Sequence, residues 1–220
     1  MNIIHPTAVI GENCELGDNN YIGPYCVLEH CHIGDNNRFE RFVSIGSPPE
    51  HKGLHLSGSN LYVVIGNNCV FKEFVTINRG TVADTKIGDE VWFLRGSHGG
   101  HDSVVESKAT ISCSAIIGGH SIIMEGANLG LSAIIRQKLV VGPYAMVGMN
   151  STVTKNIYPF KTVWGSPAEH KEVNELGMKR ANFTREEIDS LMRLDKNFSE
   201  RVSLLMLRYN ERLGQIGSEY

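Results

Sequence analysis

The chain has 220 residues, a formal charge of −3 and 41 % hydrophobic residues, long enough to bury a sizeable core and too weakly basic to leave an electrostatic footprint for nucleic acid. No run approaches the roughly 18 apolar residues of a membrane span, and Met1-Asn2-Ile3-Ile4-His5-Pro6 lacks the charged and apolar regions of a secretory leader, so the expectation is a cytoplasmic protein with no stable membrane insertion. Five cysteines (Cys14, Cys26, Cys31, Cys69, Cys113) have no CxxC spacing and several flank apolar positions, which reads as small buried hydrophobes rather than disulfides or zinc ligands.

From the N-terminus, large apolar residues recur at every sixth position. Ile4, Ile10, Leu16 and Ile22 form one run, Ile33, Phe39 and Ile45 a second, and Ile65, Phe71 and Ile77 a third, with Gly often following, as in Ile10-Gly11 and Leu16-Gly17. Stretches such as Gly17-Asp18-Asn19-Asn20 and Gly34-Asp35-Asn36-Asn37 read as tight corners that tolerate positive φ. The beat is interrupted by a loop from Ser47 to Asn60, which holds Glu50 and Lys52, and by a smaller one from Thr81 to Lys86. From Ile87 it then runs unbroken through Phe93, Gly99, Val105, Ile111, Ile117, Ile123, Leu129, Ile135, Val141, Val147 and Val153. A period of six fits neither the 3.6 of a helix nor a hairpin; it predicts short strands and turns repeated along a β-solenoid, each aliphatic side chain stacking on its counterpart about 4.7–4.9 Å away. The pattern resembles the hexapeptide-repeat acyltransferases, which implies an all-β left-handed parallel β-helix with three hexads per triangular coil. The hexads begun by Ile87 through Val153 would then make four uninterrupted coils, with roughly as many again before them.

Candidate chemistry falls at residues 96–102, Gly-Ser-His-Gly-Gly-His-Asp, where Gly99 takes the sixth-residue core position and His98, His101 and Asp102 surround it. His120 follows His101 by 19 residues, so in an 18-residue coil it lies one coil on and one position along, and His98, His101 and His120 are expected to line one cleft. His5, His30, His32, His51 and His55 show no organised partners and read as surface or corner residues.

After Lys155 the period disappears. From Thr184, the capping-box spacing Thr184-Arg185-Glu186-Glu187 and apolar residues three or four apart, from Ile188 to Leu213, predict helix, with a bend near Asn197-Phe198-Ser199 making a pair. The chain therefore divides into a β-helix over 1–160 and a C-terminal linker and α-helical extension over 161–220. The basic residues Lys179, Arg180, Arg208 and Arg212 read equally as a solvated face and as a dock for an acidic partner.

Val75-Thr76-Ile77-Asn78-Arg79-Gly80-Thr81, His98-Gly99-Gly100-His101-Asp102, Gly118-Gly119-His120, Arg136-Gln137, Gly165-Ser166-Pro167-Ala168 and the segment from Gly177-Met178-Lys179-Arg180 to Glu186, in this order, resemble the UDP-N-acetylglucosamine O-acyltransferases of lipid A biosynthesis. The resemblance implies transfer of a 3-hydroxyacyl group from acyl carrier protein to the 3-hydroxyl of the UDP-sugar, without metal or prosthetic group, in a homotrimer with sites between subunits. His101 matches the general base, Asp102 the group that orients it, and the Gly119 N–H the oxyanion donor. His98, His120 and Gln137 match residues that contact the sugar nucleotide or acyl chain. Glu50 and Lys52 match an acidic and a basic residue that hold the sugar nucleotide, and Arg180 an arginine serving the carrier protein or the UDP phosphates. Asn78 stands where the family usually has His, and Ala181 where a second Arg follows, so the acceptor atom is read as a 3-hydroxyl or, in a variant sugar, a 3-amino group. Met149 falls at the acyl-chain ruler, where long-chain enzymes have Gly; it predicts a shorter chain, unless it only packs between coils. The rival readings are a coenzyme A-dependent N-acyltransferase acting on a nucleotide amino sugar, a γ-class carbonic anhydrase, and a non-catalytic scaffold.

Overall fold

The computed structural model describes residues 1–50, 52, 60–194 and 197–217. Among them, short strands wind into a parallel β-helix with three faces: a first sheet of ten strands, a second of eight and a third of seven. In the long regular stretch each strand pairs in parallel with the one 18 residues on, as in His98↔Ile116 and Ile116↔Ile134. All twelve predicted positions from Ile87 to Val153 are buried, because with a two-residue alternation one side chain of each strand points into the prism and its neighbour points out. Phe39, Phe71 and Phe93 stack inside it with ring centroids 4.7 and 5.7 Å apart, each worth about 1.5–3 kcal/mol of burial.

The structure corrects the sequence reading of the early coils. Leu28, fully buried, continues the run from Ile22, and the step to Ile33 is five residues, so that coil loses one residue at the corner where His30 takes φ 42°. The corner glycines Gly17 and Gly34 do not have positive φ; a Cβ on Gly17 would come within 2.8 Å of the Gly34 backbone, and one on Gly34 within 2.7 Å of the Gly66 carbonyl. They are there for close stacking, while Asn19, Asn36 and Asn68 make the left-handed bends. Asn20 and Asn37 form an internal ladder instead: Asn37 N–H donates to Asn20 Oδ1, and Cys69 N–H to Asn37 Oδ1, both at 2.8 Å. The cysteines are free, three of them buried. His32 does have a partner, Glu15, at 2.9 Å; His51 and His55 lie outside the described residues.

Both interruptions of the beat, between Ser44–Ser47 and Val63–Ile65 and between Thr76–Asn78 and Thr85–Ile87, occur at the corner joining the second and third faces. His101 and His120 occupy the same corner further along.

Past Val153 the winding tapers: Ile157 bridges Val141, and Lys161–Gly165 joins the first face and turns into antiparallel Ala168–Val173. Three helices follow, α1 (Glu175–Arg180), α2 (Arg185–Arg193) and α3 (Glu200–Gly217). Thr184 caps α2 with the expected box to Glu187. Tyr144 and Phe160 stack in parallel, Phe183 packs edge-to-face on both, and Arg201 lies 3.6 Å over the Phe183 ring. Arg208 and Arg212 are not an exposed basic face: they pair with Glu106 and Glu125 of the β-helix and fasten α3 to it. Lys179 pairs with Glu175 within α1.

Candidate active site

The site grows out of one corner. Gly99 is glycine because a Cβ there would lie 2.8 Å from Ile77 Cδ1 and 3.7 Å from Phe93, which already fill the core. Its neighbour His98 points outward from the second face with Nδ1 2.8 Å from Thr76 Oγ1, and burial lowers its pKa, opposed by the negative charge of Glu50. Gly100 then stacks against Gly118 and Gly119, whose atoms leave no room for a Cβ, and the chain turns through Asp102 at φ 59°.

That turn directs Asp102 into the loop opened by the second interruption. Its Oδ1 accepts from the N–H groups of Thr81, Val82 and Ala83, and its Oδ2 from the Thr81 hydroxyl at 2.7 Å and from His101 Nδ1 at 2.6 Å. Burial alone would raise this carboxyl, but the hydrogen bonds from His101, Ala83, Val82 and Thr81 outweigh it and hold the group well below the usual carboxylate range. An ionised carboxylate only accepts, so Nδ1 of His101 is the donor to Asp102, and in the neutral imidazole Nε2 then carries the lone pair. A Cβ at Gly119 would lie 2.8 Å from His101 Cε1 and 2.9 Å from Nε2, so the imidazole rests on the bare backbone of the next coil. The Gly119 N–H has no acceptor among the described residues, whereas its carbonyl receives Lys138 N–H. His120 stands edge-on to His101 with ring centroids 5.1 Å apart and its Nε2 3.5 Å from Asp102 Oδ2.

His98, His101, Asp102, Gly119 and His120 thus converge, and Gln137, exposed, stands one coil beyond Gly119 on the same edge. Glu50 is exposed and close enough for its charge to act on His98; Lys52 is exposed in the same loop. Met149, 66 % exposed, lies at the opposite edge of the second face, so it does not merely pack between coils. Arg180, the last residue of α1, lines a cavity of 530 Å³ with Lys108, Asn128 and Arg201 on the side of the first face; one chain does not bring it to His101. Sequence reasoning assigned no role to Thr76, Thr81 and Thr85, the last of which accepts the Asp102 N–H on its hydroxyl at 2.9 Å; the signals were the motif over residues 75–81 for Thr76 and Thr81 and the interruption of the beat just before Ile87 for Thr85.

His101, Asp102 and His120 also form a compact set of potential metal donors, their nearest ligand atoms within 4.8 Å of one another. Both Asp102 oxygens already accept protein donors and one holds His101 Nδ1, an arrangement that aligns an imidazole base and offers a metal no free carboxylate oxygen.

A hexapeptide-coil solenoid with an oriented imidazole beside an unpaired main-chain N–H has the parts of a hexapeptide-repeat transferase, and a family described as bacterial transferase hexapeptide (six repeats) matches residues 1–30. The acyl-acyl-carrier-protein–UDP-N-acetylglucosamine O-acyltransferase of Thiobacillus denitrificans is 36 % identical over 218 residues, 89 % of this chain and 84 % of the relative. The enzyme of the same name from Pseudomonas putida is 35 % identical over 215 residues, 88 % of this chain and 83 % of the relative. Among solved structures, the UDP-N-acetylglucosamine O-acyltransferase of Moraxella catarrhalis superposes with a TM-score of 0.79 at 26 % identity over 97 % of this chain and 93 % of that one. That of Campylobacter jejuni gives 0.77 at 26 % identity over 96 % and 94 %. The chain belongs to the UDP-N-acetylglucosamine O-acyltransferase family, and its solenoid is the left-handed parallel β-helix.

Proposed function

We propose that this chain moves a 3-hydroxyacyl group from acyl carrier protein to the 3-position of UDP-N-acetylglucosamine or a close UDP-sugar, the step that opens lipid A assembly. The observation that carries the reading is the His101–Asp102 hydrogen bond of 2.6 Å, which leaves Nε2 basic beside the Gly119 N–H. His101 Nε2 takes the acceptor proton as that atom attacks the thioester carbon. The Gly119 N–H holds the oxyanion, and on collapse the C–S bond breaks and the imidazolium returns its proton to the leaving thiolate. Such a base contributes about 10²–10⁴-fold.

Across the second face, exposed Ile116, Ile134 and Leu131 lead from the His98 edge to Met149, an apolar track suited to an acyl chain with Met149 at its far end. His120, Gln137, Glu50 and Lys52 are assigned to the sugar nucleotide. Arg180, with Lys108 and Arg201 beside it, is assigned to UDP phosphates or to the acidic carrier protein. Because Arg180 and the His101 edge lie on different sides of one prism, we read the working unit as a homotrimer in which neighbours complete each site. The protein is assigned to the cytoplasm, where carrier protein and sugar nucleotide meet.

The test is transfer from 3-hydroxyacyl carrier proteins of increasing length, and from the matching coenzyme A thioesters, onto UDP-N-acetylglucosamine and its 3-amino analogue, with His101→Ala alongside. Carrier-protein-dependent transfer lost in the variant supports the reading; transfer from coenzyme A alone, or activity that survives His101→Ala, overturns it.

A further inference from the structure

The loop that carries Glu50 leaves the second face at Ser44–Ser47 and continues through Pro48 and Pro49. Neither proline has an N–H to donate, so this segment can be tied to the prism only through its carbonyls. The strand one coil on, Thr76–Asn78, supplies the donors. Its pairing with Ser44–Ser47 slips at the end, which sets Asn78 opposite Ser47 and makes Gly46 the extra residue, at φ 80° and with no room for a Cβ against the Glu29 carbonyl. Three successive carbonyls of the loop exit are then taken by two successive residues: Gly46 by Arg79 Nη1 at 2.9 Å, Ser47 by the Arg79 N–H at 3.1 Å, and Pro48 by Asn78 Nδ2 at 2.7 Å. Asn78 and Arg79 are both buried. Among the described residues the bond to Pro48 is the one the Asn78 side chain makes, since its Oδ1 has no partner. The same strand also holds His98, through Thr76 Oγ1 at 2.8 Å from its Nδ1.

We propose that Asn78 and Arg79 are positioning residues for Glu50: one strand holds His98 through Thr76 and the Glu50 loop through Asn78 and Arg79, and so sets imidazole and carboxylate at the separation at which both meet the sugar nucleotide. The inference rests on the reading that His98 and Glu50 contact that ligand. Glu50 follows the anchored Pro48 by two residues, and the fixed φ of Pro49 between them leaves little slack, so the anchor is passed on to the carboxylate. Burial lowers the His98 pKa, the Glu50 charge raises it and His101 lowers it further, so the His98 imidazole reports where the carboxylate stands. A loop released from Asn78 spreads Glu50 over many positions in solvent, where its charge is screened from His98.

Asn78→Ala removes the anchor; Asn78→Ser, too short to reach Pro48, removes it with a smaller change of polarity and carries the test if the alanine variant does not fold. Each is made in the full chain, alone and combined with Glu50→Gln. The readouts are kcat, KM for the UDP-sugar and for the acyl donor, calorimetric binding of UDP-N-acetylglucosamine, Tm, and the pH titration of the His98 Cε1–H resonance in the ligand-free protein, identified by its loss in His98→Gln. The expected result for the Asn78 variants is a sugar KM raised roughly five- to tenfold, the size of one lost hydrogen bond, with kcat and donor KM within about twofold of wild type. The His98 midpoint falls to that of Glu50→Gln, and in the double variants the Asn78 change adds nothing to either effect, because it acts through Glu50. A His98 midpoint that Glu50→Gln lowers and the Asn78 variants leave in place overturns the positioning role, as do effects on sugar KM that add in the double variants. Should the wild type neither bind nor acylate any UDP-sugar, the functional reading fails, and the His98 titration alone decides whether Asn78 positions Glu50.

Discussion

Replacing Asp102 by Asn separates the two tasks this side chain performs. Its Oδ1 serves the N–H groups of Thr81, Val82 and Ala83, and its Oδ2 serves His101 and the Thr81 hydroxyl. The amide has one acceptor oxygen, and three loop donors compete for it against one imidazole, so the oxygen turns to the loop and Nδ2 turns to His101. An N–H now faces Nδ1, which must carry the lone pair, and the proton moves to Nε2, where the base is needed. The expected loss is the full contribution of the base, about 10²–10⁴-fold in kcat or roughly 2.7–5.5 kcal/mol. The loop keeps its acceptor and loses only charge assistance, which costs about 1–2 kcal/mol of stability and lowers Tm by a few degrees, at about 2–4 °C per kcal/mol for a chain of this size. The assay is transfer from a 3-hydroxyacyl carrier protein at saturating UDP-sugar, paired with thermal unfolding of the same preparation. Retention of more than about a tenth of the wild-type kcat, far less than the loss of a general base, would refute the tautomer argument. A fall in activity matched by collapse of Tm would assign Asp102 to the loop alone.

The same carboxylate sets an acid limit. Its folded-state pKa is depressed, so its stabilisation is present above the unfolded value near 4 and is lost as pH falls through the folded value; the Tm gap between wild type and Asp102→Asn therefore narrows from pH 7 to pH 3, and a constant gap would contradict the depressed pKa. Gly119→Ala places a methyl group 2.8–2.9 Å from the His101 ring, so the imidazole swings away, with kcat down by about 10²-fold and Tm barely changed; an active alanine variant would mean the ring does not rest there during reaction. Met149→Gly, at an exposed position that adds nothing to the core, moves the donor optimum to longer 3-hydroxyacyl chains in a length series; an unmoved optimum would place the ruler elsewhere. Phe71→Ala, in the middle of the internal ring stack, costs about 3–5 kcal/mol by urea unfolding, and a cost below about 1 kcal/mol would mean that the neighbouring coils collapse into the gap.

The six-residue beat was enough to determine the solenoid, since a core of one aliphatic residue per strand admits no other period; all twelve positions from Ile87 to Val153 are inside. The one-residue slip between Leu28 and Ile33 escaped it because a corner can drop a residue without disturbing the stack on either side, and His30 absorbs the change in its own φ. The His101–Asp102 pair and its coil-mate His120 were legible for the same reason as the fold: a fixed 18-residue coil turns spacing in sequence into neighbourhood in space. The partners of Asp102 were not legible, because Thr81, Val82 and Ala83 belong to an irregular loop whose path no period describes. Nor could the tail reveal that Arg208 and Arg212 turn inward to Glu106 and Glu125, since on a helix surface a paired arginine and a solvated one leave the same trace in sequence. What repeats was written locally, one hexad at a time; what happens once, the loop around Asp102 and the helix docked beside His120, depends on contacts between segments tens of residues apart and was decided only by the folded chain.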